Sequence, residues 1–244
     1  MLRRLITAFA VLFFVTMPIQ AEAARVSPMV LEVTPSGRNS VARIELSNPA
    51  DRDFPVEVTM MRGDISEDGE LTLTPAEEDF LVFPAQIVVK PRSQQVLRVQ
   101  YVGDPELAKS QIYYAAVRQI PVAFEPGQTQ VQVVVNFNVL INIVPDGTRP
   151  DPVVEVIGPA TRDEKPGVEI RVTNRGTRFL LAGNVPWDIS GTGADGTPVK
   201  FRRSAEEMAR AFGVGVVAPD KARRFFIPLD QPLEPGTISA TPVL

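Results

Sequence analysis

The chain has 244 residues, 44% of them hydrophobic, with 25 basic and 29 acidic side chains and neither cysteine nor histidine. Lacking those two residue types, it has no Cys or His nucleophile, no Ser-His-Asp triad, no imidazole base and no zinc site of the usual nitrogen–sulfur kind. A net charge of −4 without basic clusters argues against nucleic-acid binding. No P-loop, G-x-S-x-G or D-x-D-x-D-G run is found. A Ser-Lys pair or a carboxylate calcium site stays formally open. The composition otherwise points to a non-enzyme with no metal, no cofactor and no small-molecule substrate.

At the N-terminus Arg3 and Arg4 precede an apolar run over 5–15, then Pro18 and Ala21-Glu22-Ala23. A charged start, a short apolar core and a small-x-small site predict a secretory signal peptide over residues 1–23, cleaved after Ala23. The run is too short to span a membrane. Cleavage removes two Arg and one Glu, and moves the net charge from −4 to −5. An exported chain without cysteine draws its stability from its core alone.

From residue 25 onward, short alternating runs are punctuated by turns. Residues 28–33 read as extended and 34–37 as a turn. In 40–48, Ala42, Ile44 and Leu46 alternate with Val41, Arg43 and Glu45, as in a half-buried strand. A strand over 54–61 leads to the acidic tip 64–70, read as a solvated loop rather than a calcium site. Runs at 71–74, 81–83, 86–89, 94–102 and 112–120 follow. Residues 129–145 (TQVQVVVNFNVLINIVP) carry no charge and place Val131, Val133, Val135, Phe137, Val139, Ile141 and Ile143 at every second position. That is a long β-strand, and an uncharged apolar strand is either paired on both sides or open to a partner chain. Seven or more strands at this spacing predict an immunoglobulin-like sandwich over 24–147.

A Pro-, Gly- and Asp-rich join over 145–152 separates a second, smaller β-sandwich over 148–244. Its strands are predicted at 153–157, 168–173, 180–189, 198–201 and 224–227. Ser204 and Glu207 have capping-box spacing ahead of a short helix reaching Phe212. Trp187 is expected in a core or at the domain interface. The fold class is therefore all-β, two tandem immunoglobulin-like sandwiches behind a cleaved signal peptide.

Three stretches carry a resemblance. They are 40–58 (SVARIELSNPADRDFPVEV), 88–121 (VVKPRSQQVLRVQYVGDPELAKSQIYYAAVRQIP) and the long strand itself, with 216–228 (VVAPDKARRFFIP) as a weaker fourth. The second stretch contains a Pro-initiated strand ending in Leu97-Arg98-Val99, then a tyrosine-rich strand running from Tyr113-Tyr114 to Ile120-Pro121. In order and spacing the chain resembles the PapD-like periplasmic chaperones of pilus assembly, in a divergent, archaic-type branch. The resemblance implies a periplasmic chaperone that binds pilus subunits by donating a β-strand and delivers them to an outer-membrane usher. It maps the donor residues onto Val131, Val133, Val135 and Phe137. The family's carboxylate-anchoring positions fall near Leu31 and at Leu140, its C-terminal Arg at Val144 and its strand Glu on or near Ser110, so the anchor does not carry over. Arg98 and Arg118 are the candidate replacements, with Arg25 and Lys90 near strand ends as further basic residues. The competing class is a secreted immunoglobulin-like structural or adhesion protein without chaperone activity.

Overall fold

The structure is a computed structural model describing residues 23–121 and 134–244. Residues 1–22 of the predicted signal peptide, and the candidates Val131 and Val133, lie outside the described residues.

Ten strands build the first sandwich. They are β1 (Arg25–Ser27), β2 (Val30–Val33), β3 (Val41–Asn48), β4 (Phe54–Ile65), β5 (Leu71–Pro75), β6 (Phe80–Phe83), β7 (Gln86–Val89), β8 (Ser93–Tyr101), β9 (Gln111–Gln119) and β10 (Asn136–Ile143). One sheet runs β1-β3-β8-β6; the other runs β2-β10-β9-β4-β5, with β7 also on β4. The extended segment predicted at 28–33 is two strands: β1 pairs antiparallel with β3, and β2 pairs parallel with β10 in the opposite sheet. The chain changes sheets at Pro28, which has no N–H to contribute to either ladder. Alternation sets which residues meet between the sheets: Ala42, Ile44 and Leu46 from β3, Leu97 and Val99 from β8, Tyr113, Ala115 and Val117 from β9, and Val139, Ile141 and Ile143 from β10.

The second sandwich contains β11 (Pro152–Arg162), β12 (Lys165–Asn174), β13 (Leu180–Leu181), β14 (Trp187–Thr192), β15 (Pro198–Arg203), β16 (Val216–Val217), β17 (Ala222–Pro228) and β18 (Ser239–Pro242). Its sheets are β11-β12-β17, β15-β14-β18 and the small pair β13-β16. The single strand predicted over 180–189 is broken, because a 3-10 turn at Ala182–Asn184 and then Pro186 interrupt it. The break places Trp187 in this domain's core, its indole Nε1–H donating to the Ala182 carbonyl at 2.9 Å. Helix α1 (Ala205–Phe212) carries the expected capping box: the Glu207 N–H donates to Ser204 Oγ, and the Ser204 N–H donates to Glu207 Oε2. Its Phe212 stacks on Phe225 and meets Trp187 edge-on.

Each sandwich uses a buried asparagine at the end of a long strand, β3 or β12, to tie down the loop that follows. The local sequences match, Ile44-Glu45-Leu46-Ser47-Asn48 against Ile170-Arg171-Val172-Thr173-Asn174. The Asn48 amide donates to the carbonyls of Arg52, Val89 and Lys90 and accepts from the Ala50 N–H. Asn174 donates to the carbonyls of Arg178 and Val217 and accepts from the Asp151 and Gly176 N–H groups. Loop backbone groups that water does not reach are thereby satisfied.

The acidic β4–β5 tip is exposed at Asp64, Asp68 and Glu70, as a solvated loop would be, but it is also a contact with the second domain. Glu67 takes both fork nitrogens of Arg171 at 3.0 and 3.1 Å and the Arg224 Nε at 3.0 Å, while Asp64 pairs with Lys221 at 2.9 Å. The Arg224 N–H also donates to the Glu67 carbonyl at 2.8 Å. Sequence pattern alone had no means of seeing these cations, which lie more than a hundred residues away. Lys109–Asp220 and Arg178–Glu32 add further ion pairs between the domains. Near the join, the Ser110 N–H donates to the Thr177 carbonyl at 2.8 Å, and Ser110 Oγ accepts from the Phe179 N–H at 2.7 Å.

Asn48→Ala strands several buried backbone groups at once and is expected to cost about 2–4 kcal/mol in chemical unfolding; a loss within experimental error would remove the latch role. The hydrogen bond from Arg171 holds the Glu67 carboxyl below its ordinary value of 4.5, with Arg224 adding to the effect. A lowered carboxyl contributes stability that is complete above pH 4.5 and disappears as pH falls through the lower folded value. Glu67→Gln is accordingly expected to split a joint calorimetric transition of the two domains at neutral pH, and acidification of the wild type is expected to do the same. One cooperative transition in the mutant would count against the clamp.

Candidate functional site

Strand β10 lies between β9 and β2, but its two neighbours differ in length. It pairs with β9 along its whole length, from Asn136 opposite Arg118 to Ile143 opposite Gln111. It pairs with β2 only from Leu140 opposite Val30 to Ile143 opposite Val33. The Leu140 N–H donates to the Met29 carbonyl, and the Val144 N–H to that of Val33. Alternate residues of a strand address opposite neighbours, so the even-numbered residues of β10 point their backbone groups toward β2. At Asn136 and Asn138 those groups face an edge that carries no strand among the described residues.

The side chains sort the same way. Val139, Ile141 and Ile143 are fully buried in the first core, and Phe137 packs half-buried against it. The odd-numbered face that carries all four predicted donor residues is therefore, from Phe137 onward, the face this domain uses for itself. Val135 is half-buried at the end of that row, its N–H donating to Gln119 Oε1 at 3.0 Å. The even-numbered face looks outward. There Asn136, Asn138, Leu140 and Asn142 lie beside Arg118, Ala116, Tyr114 and Ile112 of β9. Asn138 Oδ1 and both polar side-chain atoms of Asn142 are buried without a partner.

Part of this outer face packs against the second domain. Ile112, Tyr114 and Leu140 cluster with Val216, and Val30, Met61, Leu181 and Val214 pack around them. A Cβ at Gly63 would lie 2.5 Å from the Tyr114 ring, so a side chain there would displace the tyrosine from this cluster. Burial pushes the Tyr114 hydroxyl up, and the nearby Arg223 cation opposes that.

The two predicted anchor residues are not brought together. Arg118 is half-buried on the outer face of β9, with its Nη1 donating to the Phe137 carbonyl at 3.3 Å. Arg98 lies on β8, in the opposite sheet, exposed and bonded to Gln100 Oε1. Strand alternation put both outward, but only sheet pairing decides that they point from opposite sides of the domain. Leu31 packs inward against the first core and Leu140 lies in the apolar cluster between the domains. Beside that cluster Arg223, a residue of 216–228 that periodicity gave no reason to single out, donates through Nη1 to the Val216 carbonyl at 2.9 Å. Among the described residues no group of carboxylates is arranged to hold a metal.

The sequence profile of the family described as pili and flagellar-assembly chaperone, PapD N-terminal domain, matches residues 26–149. No curated protein sequence matches. Among solved structures, the chain is similar to one in the CsuC–CsuE chaperone–tip adhesion subunit pre-assembly complex from archaic chaperone–usher Csu pili of Acinetobacter baumannii. That match has 13% identity, covers 90% of this chain and 93% of the other, and has a TM-score of 0.54. The class 5 fimbriae chaperone CfaA matches at 12% identity over 91% and 99% of the two chains, TM-score 0.54. A chain of the Salmonella enterica SafA pilin–SafB chaperone complex matches at 14% identity over 91% and 96%, TM-score 0.52. At such identities the structural likeness establishes shared architecture, and the profile, spanning half of the sequence, establishes descent: the chain belongs to the pili and flagellar-assembly chaperones of the PapD N-terminal domain family.

Proposed function

We propose that this protein holds pilus subunits in the periplasm by lending them a β-strand, with 24–147 as the lending domain and 148–244 as its companion, and passes them to an outer-membrane usher. The observation that carries this reading is the open edge of β10 at Asn136–Val139, uncharged and rigidly backed by β9. An incoming strand gains main-chain hydrogen bonds along such an edge, while alternate side chains of the lent strand fill its groove. Val131, Val133, Val135 and Phe137 share one face by period two. Val135 and Phe137 stand where that face leaves the core of the first domain, and the reading assigns Val131 and Val133, outside the described residues, to the partner's groove. Burial of four such residues contributes about 6–12 kcal/mol before the costs of association, enough for a stable complex that a competing strand can still replace. Of the two basic candidates, Arg118 stands beside this edge and Arg98 does not. The periplasmic location rests on the signal-peptide pattern of 1–23 and on the family.

The test is affinity purification from periplasm of cells making the neighbouring gene products, comparing wild type with Val135→Asp. A small protein in near-stoichiometric amount with the wild type, reduced at least about tenfold with a folded Val135→Asp variant, is the expected result. Retention of the partner by the variant would refute strand donation through this face.

A further inference from the structure

The sheet β1-β3-β8-β6 ends on one side at β6. The Val102 N–H donates to the Asp79 carbonyl at 2.8 Å, which fixes the parity of the β6–β8 ladder. Leu81 and Phe83 therefore turn their backbone groups to β8, and Val82 turns its N–H and carbonyl to the open side. The outer face of this edge is apolar. Phe83 is 78% exposed, more than any other large hydrophobic residue among the described residues, and Leu81 is 61% exposed. Exposed Val96 and half-buried Val41 continue the patch across β8 and β3. The charges around it are uneven. Arg43 of β3 lies directly opposite Arg98 of β8, and Arg98 directly opposite Phe83. Like charges opposed across a ladder repel. Neither arginine is in an ion pair among the described residues, and Arg98 reaches only Gln100 Oε1 at 3.1 Å. At its other end β6 follows the 3-10 turn Glu77–Asp79, in which Glu77 and Glu78 are exposed. The strand thus runs from an acidic end to a basic one.

An antiparallel neighbour of the same sequence reverses that order, so the acidic end of each copy lies alongside the basic row of the other. We propose that two copies of this chain pair antiparallel along β6, about a two-fold axis at Val82, joining their β1-β3-β8-β6 sheets into one continuous sheet. The backbone dictates the axis. The Phe80 N–H is taken by the Glu77 carbonyl, and Pro84 has no N–H, so Val82 is the one residue of the edge with both groups to exchange. The two Val82 residues then bond reciprocally, and Leu81 of each copy faces Phe83 of the other as a non-hydrogen-bonded pair, the closer of the two kinds. Such an interface is self-complementary and closes at two subunits. An edge that would otherwise invite aggregation is thereby covered. Strand β10 belongs to the opposite sheet, so the pairing leaves its edge untouched and does not depend on the strand-lending reading.

Sedimentation velocity of the purified protein over a concentration series measures the dimer dissociation constant for wild type, Phe83→Asp, Leu81→Asp and Arg98→Glu. The expected result is a reversible wild-type dimer whose dissociation constant rises about tenfold or more in Phe83→Asp and Leu81→Asp, and less in Arg98→Glu. Unfolding midpoints stay unchanged, because all three side chains are exposed. The absence of native cysteine permits a test of register. Leu81→Cys and Phe83→Cys copies, mixed and mildly oxidised, are expected to form the mixed disulfide in preference to either like pair, since the Cα separation of a non-hydrogen-bonded pair suits a disulfide. A wild type that stays monomeric at about 100 μM overturns the proposal, as does a dimer insensitive to Phe83→Asp. Cross-linking of like copies as readily as unlike ones, or no cross-linking at all, overturns it as well.

Discussion

A β-strand has two hydrogen-bonding edges and two faces, and β10 uses three of these four surfaces. One face fills the first core through Val139, Ile141 and Ile143, the other meets the second domain through Leu140, and β9 takes one edge along its entire length. The remaining edge is closed by β2 only as far as Leu140. An exposed, uncharged edge is a hazard that folded proteins ordinarily block with charge, proline or a covering element. Here a well-packed core holds the strand in register, while the edge beyond Leu140 carries no strand among the described residues. On the strand-lending reading proposed above, that rigidity would spare a partner strand much of the cost of ordering β10.

The second domain matters because it determines what lies beside that edge. Ion pairs from the β4–β5 tip to β12 and β17, together with the Ser110 contacts near the join, fix the angle at which the domains meet. Individually such partly exposed pairs contribute little. A carboxylate shared by two guanidiniums and backed by a main-chain hydrogen bond is geometrically far more restrictive. The same clamp carries Arg223 against Gly69, so the position of that side chain depends on the docking of one sandwich on the other.

Much of this was legible in the residues. The strands over 40–48, 94–102 and 112–120 came out within a residue of their observed ends, because alternation is strong wherever one face is buried and the other wet. The capping box at Ser204 is a local signal and was found as one. What failed to show in the sequence involved partners distant along the chain. The acidic tip reads as solvated until Arg171 and Arg224 are placed beside it, and 180–189 reads as one strand until the Trp187 ring needs a core to enter. Arg98 and Arg118 look equivalent as outward basic residues of neighbouring strands until pairing assigns them to different sheets. The matching Ile-x-Leu/Val-Ser/Thr-Asn segments were visible in the text of the sequence; only the hydrogen bonds of Asn48 and Asn174 show why they matter.

The sequence by itself determined the all-β character, the two-sandwich order, the absence of Cys and His chemistry and the uncharged strand at the end of the first domain, since each depends on local periodicity or on composition. The tertiary structure alone decided which edge of that strand carries no neighbour among the described residues, which of its faces is already occupied, and which carboxylates of the first domain meet cations of the second. Those three properties are relations between residues far apart in the chain, and no local pattern encodes where a neighbouring strand begins.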